Sequence, residues 1–370
     1  MMRVCLLCIE FFGDSVFGGF GRSARFVGRE LAKRGVDVSV VVPRRSPERP
    51  DTYDIEGMRV HQVSPARMDR AWRVLRAVNA DVYHSQDTSL LTALAQWARP
   101  SAAHVVTFRD PMDRTDWSIE TSHAGMGGAG WWSYQQFIMN PFVGRALRNA
   151  DACYAAAEFI GPKAFALYRL PSVPPLLPSP VHLPDTVAPK TSEPSVCWVG
   201  RWEGRKRIEL FFELAAAMPH VRFVAMGGAR DPHLDRTLRL RHASLPNVEM
   251  PGVIDQFTDA RWSRIMGESW ALVNTSRREG LPTTFIEAAA HGTAIVSFTD
   301  PDGFASRFGR RAEEGAMQPA LEWLLQEDRW RTAGAAGREY VRTTFATEPA
   351  MTAHLAAYED ALHRVVARTR

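Results

Sequence analysis

Continuous apolar runs, bounded by turn residues and separated by segments of helical period, recur through the first half of the chain. VCLLCI at 4–9 and VDVSVVVP at 36–43 read as strands buried on both faces. GRSARFVGRELAKRG at 21–35 lies between them as a helix closed by Gly35. DVYHSQD at 81–87, HVVTFRD at 104–110 and DACYAA at 151–156 continue the series. Strand and helix in alternation predict a parallel sheet covered on both sides. At 170–195 the text changes to LPSVPPLLPSPVHLPDTVAPKTSEPS, with eight prolines, and predicts a boundary or linker. The alternation then restarts with SVCWVG, VRFVAMGG, NVEMPGV, ALVNTS and AIVSF as strands, and the chain closes on an amphipathic helix at 351–370.

The expected fold class is therefore α/β, with two similar domains built on parallel sheets. The boundaries read as 1–178 for the first domain, 179–194 for the linker, 195–346 for the second domain and 347–370 for the final helix. Two such domains put the carboxyl ends of two sheets beside a cleft, where ligands of these folds bind.

Length agrees, since 370 residues exceed one ordinary core. The hydrophobic share of 45% and charged share of 23% are those of a soluble globular protein. No apolar run reaches the roughly 18 residues of a membrane helix. The N-terminus reads as a strand rather than a signal peptide, so the expected compartment is the cytoplasm. Four cysteines make no disulfide framework, and the odd spacing of Cys5 and Cys8 sends them to opposite faces of a strand. No zinc or other metal site is expected. Residues 1–180 hold 21 basic against 17 acidic side chains, and the rest balances. That mild excess fits a solvated surface, an anionic partner or peripheral contact with an anionic membrane, and not a nucleic-acid interface.

The candidate chemistry centres on RREGLPTTFIEAAAHG at 277–292. It joins the strand ALVNTS to a helix. Pro282 suits the first helical position and Gly292 the stop. Gly280 lets backbone approach a ligand, and the amides of Leu281, Thr283 and Thr284 point from a positive helix end suited to phosphate. Glu279 stands at its mouth and Glu287 about two turns in. Two carboxylates repel phosphate but fit hydroxyl groups flanking it, so the implied ligand is a nucleotide-sugar. The plainer alternative is a dipole-complementing Glu279 and a solvated Glu287. A second motif, GRWEGRK, puts Arg201 and Lys206 on a strand-to-helix loop where both can hold a diphosphate. Its alternative is a surface cluster with Arg205 and Arg207. A third, GGFGRS at 18–23, is a glycine turn after the first strand.

Together GGFGRSARFVGRELAKRGVDVSVVVP, GRWEGRK, NVEMPGVI and REGLPTTFIEAAAHGTAIV resemble the retaining glycosyltransferases of family 4, which have two facing Rossmann-like domains in the type-B glycosyltransferase fold. The resemblance implies that Arg201 and Lys206 hold the donor diphosphate, with Gly280, Leu281, Pro282 and Thr283 beside it. It implies that Glu279 lies against the transferred sugar, that Glu287 binds the ribose, that Gly19 approaches the donor and that Val253 borders the base. It implies a hexosyltransferase needing neither cofactor nor metal. The expected donor is a UDP-sugar rather than a GDP-sugar, and the expected acceptor a saccharide or lipid-linked glycan. DPD at 300–302 mimics a metal-binding D-x-D but reads as a turn.

One departure stands out. The family's strand matching HVVTFRD commonly ends Thr-x-His-Asp, with that His facing the donor sugar, whereas here Arg109 precedes Asp110. Arg109 is therefore expected to point into the cleft and meet an anionic group, with Asp113 or Asp87 as protein alternatives. His84, Asp110 and Trp117 are assigned to the acceptor side, with a hydrogen-bonded strand histidine as the plainer reading of His84. Residues 111–140 have the glycine and Trp content of a binding loop. Two other functions fit parts of the sequence. One is a silent nucleotide-sugar-binding protein. The other is an NAD-dependent oxidoreductase built on GGFGRS, with Asp37 as the ribose acid.

Overall fold

A computed structural model describes residues 1–11, 18–44, 50–64, 67–122, 140–202 and 204–369. It divides into two compact units. The first is Met1–Trp117, Gly128–Val181 and Phe345–Arg370; the second is Ser118–Gly127 and His182–Thr344.

The first unit carries the strands β1 (Arg3–Leu7), β2 (Asp37–Pro43), β3 (Thr52–Ile55), β4 (Met58–Val63), β5 (Val82–Ser85), β6 (Ala103–Phe108) and β7 (Ala152–Ala155). Their order across the sheet is β3-β4-β2-β1-β5-β6-β7. All neighbours are parallel except β3 and β4. Every residue of β5 and β6 is buried, as strands covered on both faces must be. Val4, Leu6 and Cys8 enter one core, and Cys5 and Leu7 the opposite one. The odd cysteine spacing thus does what strand geometry requires, and both thiols are free and buried. The final helix Thr347–Thr369 adds Met351, Tyr358 and Ala361 to the first of these cores.

The second unit carries β8 (Ser195–Arg201), β9 (Arg222–Gly228), β10 (Val248–Gly252), β11 (Ala271–Asn274), β12 (Ala294–Ser297) and β13 (Gly309–Arg311). Their order is β10-β9-β8-β11-β12-β13, parallel throughout. From β8 the chain winds outward through β9 and β10, then returns to the other side of β8 as β11. The topological switch point lies between β8 and β11. Their ladder pairs only Ala271 with Val196 and Leu272 with Cys197. In open sheets of this kind the carboxyl ends of the strands at the switch point are where ligands bind.

Among the described residues, no helix is long and apolar enough to cross a membrane.

Candidate functional site

The loops leaving β8 and β11 meet at that switch point. After β8 the chain makes a short 3-10 turn, Gly204–Lys206, then enters the helix Ile208–Ala217 from Arg207 in the left-handed region, φ 50°. After β11 it runs through Glu279 into the helix Thr283–Ala290. Three bonds stitch the loops together. Thr275 Oγ1 donates to Lys206 O at 2.6 Å, Arg207 Nε donates to Thr275 O at 2.7 Å, and the Arg277 amide donates to Arg205 O at 3.0 Å. Arg207 also pairs with Glu314.

The pairing at the centre is one that neither sequence motif contains by itself. Lys206 Nζ binds Glu279 Oε1, and Arg205 Nη1 reaches Glu279 Oε2 at 3.2 Å. Asn274 Nδ2 lies 3.4 Å from Oε1. The Glu279 side chain is only 6% exposed. Burial pushes its carboxyl up, but the Lys206 and Arg205 charges beside it win and hold it at about 2. Burial pulls the Lys206 amine down, and Glu279 offsets that only in part. Arg201, at the end of β8, lies near enough to depress the same amine. Arg205 is further fixed by Arg278 O at 2.6 Å and by Glu120, whose Oε2 is 2.5 Å from its Nε.

Pro282 stands one residue earlier than expected. It is the N-cap of the helix, with φ −65° and ψ 128°, and Thr283 is the first helical residue. An extended ψ at the cap lets the chain enter from Gly280 and Leu281 while the Phe285 amide bonds to Pro282 O at 3.0 Å. The first-turn amides lie outside the helical ladder, as at any helix start. Gly292 follows the C-cap His291 with φ 64°, the conformation that favours glycine. Glu287 is buried in this helix. The far end of the helix is anchored by residues that sequence reasoning passed over. His291 Nδ1 lies 2.7 Å from Glu287 O and Nε2 2.8 Å from Ser263 Oγ. Lys190 donates to Ser269 O at 2.6 Å and Thr293 Oγ1 at 2.7 Å. The Ser263 contact of His291 and both Lys190 contacts are distant in sequence, and no local spacing announces them. Val253 follows β10 and is half exposed. Asp300 accepts from the amides of Ala305 and Ser306 and so closes the DPD turn.

In the first unit, Gly19 opens the helix Gly19–Lys33 with Gly18 as its N-cap. The Gly21 amide donates to Glu10 Oε1 at 2.9 Å, so this helix start already holds a carboxylate of its own chain. A Cβ on Gly18 would stand 2.0 Å from that oxygen. Asp37 opens β2 rather than ending it, which takes it away from the carboxyl end where a ribose acid belongs. These two placements remove the residues on which the NAD reading rested. His84 is fully buried, with Nδ1 2.8 Å from Tyr358 Oη and Nε2 2.7 Å from Thr107 Oγ1, the plainer reading of a strand histidine. Asp110 follows β6, part-buried, and Trp117 lies part-buried on the helix Arg114–Ser122. A helix therefore occupies part of what reads as a loop at 111–140, while residues 123–139 of it lie outside the described residues.

Arg109 is 4% exposed; the hydrogen-bond partners of its guanidinium are neutral, while the charges of Asp87 and Glu10 stand near enough to favour its cation. Nε donates to Gln86 O at 2.7 Å, Nη1 to Ser179 Oγ at 2.7 Å, and Nη2 to Gln86 Oε1. Asp113 accepts from the Asp116 amide, and Asp87 from the backbone amides of Thr88 and of Arg109 itself. Neutral oxygens take three of the five guanidinium hydrogens, and the Asp87 charge nearby offsets part of the cost of burial. Arg109→Met is expected to lower the melting temperature by about 5 °C or more. Each stranded buried acceptor costs about 1–3 kcal/mol, and 1 kcal/mol is worth about 2–4 °C in a unit of this size. An unchanged melting curve would show the network to be dispensable.

Residues 17–175 match the family model described as Glycosyltransferase Family 4, and residues 193–322 the model described as Glycosyl transferases group 1. No curated protein matches the chain at a significant level. Among solved structures it resembles sucrose-phosphate synthase from Thermosynechococcus elongatus at 18% identity and a TM-score of 0.72, over 98% of this chain and 100% of that one. It resembles a glycosyltransferase from Rickettsia africae at 14% identity and 0.68, over 98% and 99%. It resembles Anabaena Alr3699/HepE in complex with UDP-glucose at 12% identity and 0.66, over 97% and 99%. At such identities the likeness establishes the fold, and the two family models together account for most of the sequence. The chain belongs to the family 4 glycosyltransferases, with the type-B architecture.

Proposed function

We propose that the protein is a retaining, metal-independent hexosyltransferase that takes its sugar from a nucleoside-diphosphate donor, a UDP-sugar before a GDP-sugar. The observation that carries this reading is the meeting of the Arg201–Lys206 loop with the Glu279–Glu287 turn at the switch point of the second sheet. Anabaena HepE, solved with UDP-glucose, supports a nucleotide-sugar donor.

In this reading the bond from the anomeric carbon to the diphosphate oxygen breaks and its electron pair leaves with the diphosphate. Negative charge grows there, facing Arg201, Lys206 and the start of the helix Thr283–Ala290, and groups already in place stabilise it without reorganisation. Positive character grows at the anomeric carbon, as in glycoside cleavage. Glu279, held ionised, is the carboxylate assigned to that carbon, and Glu287 is assigned to the ribose. The acceptor hydroxyl attacks from the face the diphosphate leaves and gives its proton to the departing oxygen. Arg109 acts as scaffold here and supplies no motive for an anionic acceptor.

A thermal-shift panel of UDP, GDP, ADP and their glucose conjugates tests the reading. At least one is expected to raise the melting temperature. Lys206→Met is expected to weaken the same ligand about tenfold or more, since a charged hydrogen bond contributes about 1.5–3 kcal/mol. No shift with any of them would overturn the reading.

A further inference from the structure

We propose that Arg205 is a positioning residue that keeps Glu279 ionised and in place when Lys206 is given over to the donor diphosphate. The inference rests on the function proposed above. Lys206 is assigned to the phosphates, yet its ammonium is engaged with Glu279 Oε1. A diphosphate that recruits Lys206 takes a cation away from a carboxylate whose side chain is 6% exposed. A carboxylate left so enclosed without a cation must take a proton or hold the lysine back. Asn274 and Ser276 also hydrogen-bond the carboxylate but are neutral and cannot replace that charge.

Arg205 already sits on the other oxygen, Oε2, at 3.2 Å. It is suited to remain when Lys206 leaves. Its guanidinium is tied to Arg278 O at 2.6 Å, and its Nε faces Glu120. Lysine is a point charge on a flexible stem and can change partners, whereas the fork of arginine is fixed by several bonds at once. The adjacent cations thus divide the work: the mobile one serves the diphosphate and the fixed one holds the carboxylate. In the sequence Arg205 enters only through the alternative reading of a surface cluster with Arg207.

The test is a double-mutant cycle read by calorimetry. Whichever of UDP, ADP and GDP binds the wild-type chain best is titrated into wild type, Arg205→Gln, Glu279→Gln and the double variant. Each titration is run in two buffers of different ionisation enthalpy. Arg205→Gln is expected to lose about tenfold or more in affinity and to take up protons on binding, as Glu279 protonates when Lys206 departs. Wild type is expected to take up none. Glu279→Gln is expected to bind at least as tightly as wild type, and the double variant to regain the loss, because a neutral amide needs no cation. If Arg205→Gln does not fold, Arg205→Met, which also removes the charge while keeping most of the stem, carries the same cycle. Losses that simply add in the double variant, without proton uptake, would overturn the inference and leave Arg205 as a phosphate contact or scaffold. Absence of nucleoside-diphosphate binding by wild type would overturn the proposed function and this inference with it.

Discussion

Glu279→Gln is expected to lower kcat by about 10²–10³ while nucleoside-diphosphate affinity is kept or improved. The size follows from removing one preorganised charge at a reacting centre, worth about 2.7–4 kcal/mol. The direction for binding follows from the ion pairs. Glu279 engages both Lys206 and Arg205. The amide has nearly the same shape but no charge to hold them, so both cations become cheaper to recruit. A loss in kcat without a loss in binding marks an interaction made with the developing charge rather than with the bound ligand. Steady-state kinetics and calorimetry on the same variant separate the two quantities. Full turnover in Glu279→Gln would reduce Glu279 to a complement of the helix dipole and of Lys206.

Most of the fold was legible because the strands of a covered parallel sheet are continuous apolar runs. VCLLCI, HVVTFRD, SVCWVG and AIVSF each overlap a strand to within a few residues. The strands that escaped lie at or next to sheet edges. β3 and β4 form an antiparallel pair joined through Glu56 and Gly57, with φ 50° and 79°. Such a two-residue turn is signalled by Asn-Gly or Asp-Gly, and Glu-Gly is a weaker form of the same demand. β13 has three residues, too few to show any period. Gly309 admits it beside β12, because a Cβ there would stand 1.9 Å from Ile295 O.

The site was legible as two motifs but not as a contact. GRWEGRK and the glutamate turn each name the right residue types for a phosphate and a sugar. Nothing in either says that Lys206 and Glu279, 73 positions apart, pair with each other. That follows only from the strand order, which sets β8 against β11. Arg109 failed for a related reason. Sequence shows the charge but not the two oxygens of Gln86 and the Ser179 hydroxyl that answer it.

The chain is expected to lose stability steeply as pH falls from about 6.5 to 5, before its carboxylate ion pairs titrate. His84, His291 and His354 are buried and neutral. Burial pulls His354 down to about 3 and His291 to about 4, and takes His84 well below the usual imidazole range. Around His84 stand Tyr358, Thr107, Gln86, His354 and the fixed charge of Arg109, so no carboxylate there favours an imidazolium. Around His291 stand Lys190, Arg338 and His182. A folded pKa below the unfolded value means that the unfolded chain binds the proton first. The stability is therefore present above about pH 6.5 and is lost as pH falls, at up to ~1.4 kcal/mol per unit for each group. His61, His104 and His242 are lowered too and act in the same direction. Asp87 acts against them. Burial raises its carboxyl to about 7, so the folded state takes that proton first and gains stability over the same range. Three strongly buried histidines against one such carboxyl leave a net of about two groups, or roughly 4 kcal/mol between pH 6.5 and 5. Glu279, held at about 2, adds a later loss only below the ordinary carboxyl range. Urea midpoints measured at half-unit steps check the slope, and two variants assign it. His354→Gln keeps a donor for Pro178 O, which lies 3.2 Å from His354 Nε2, and should flatten the slope by about one group. Asp87→Asn should steepen it by the same amount. A slope that neither substitution moves would place the acid sensitivity elsewhere in the molecule.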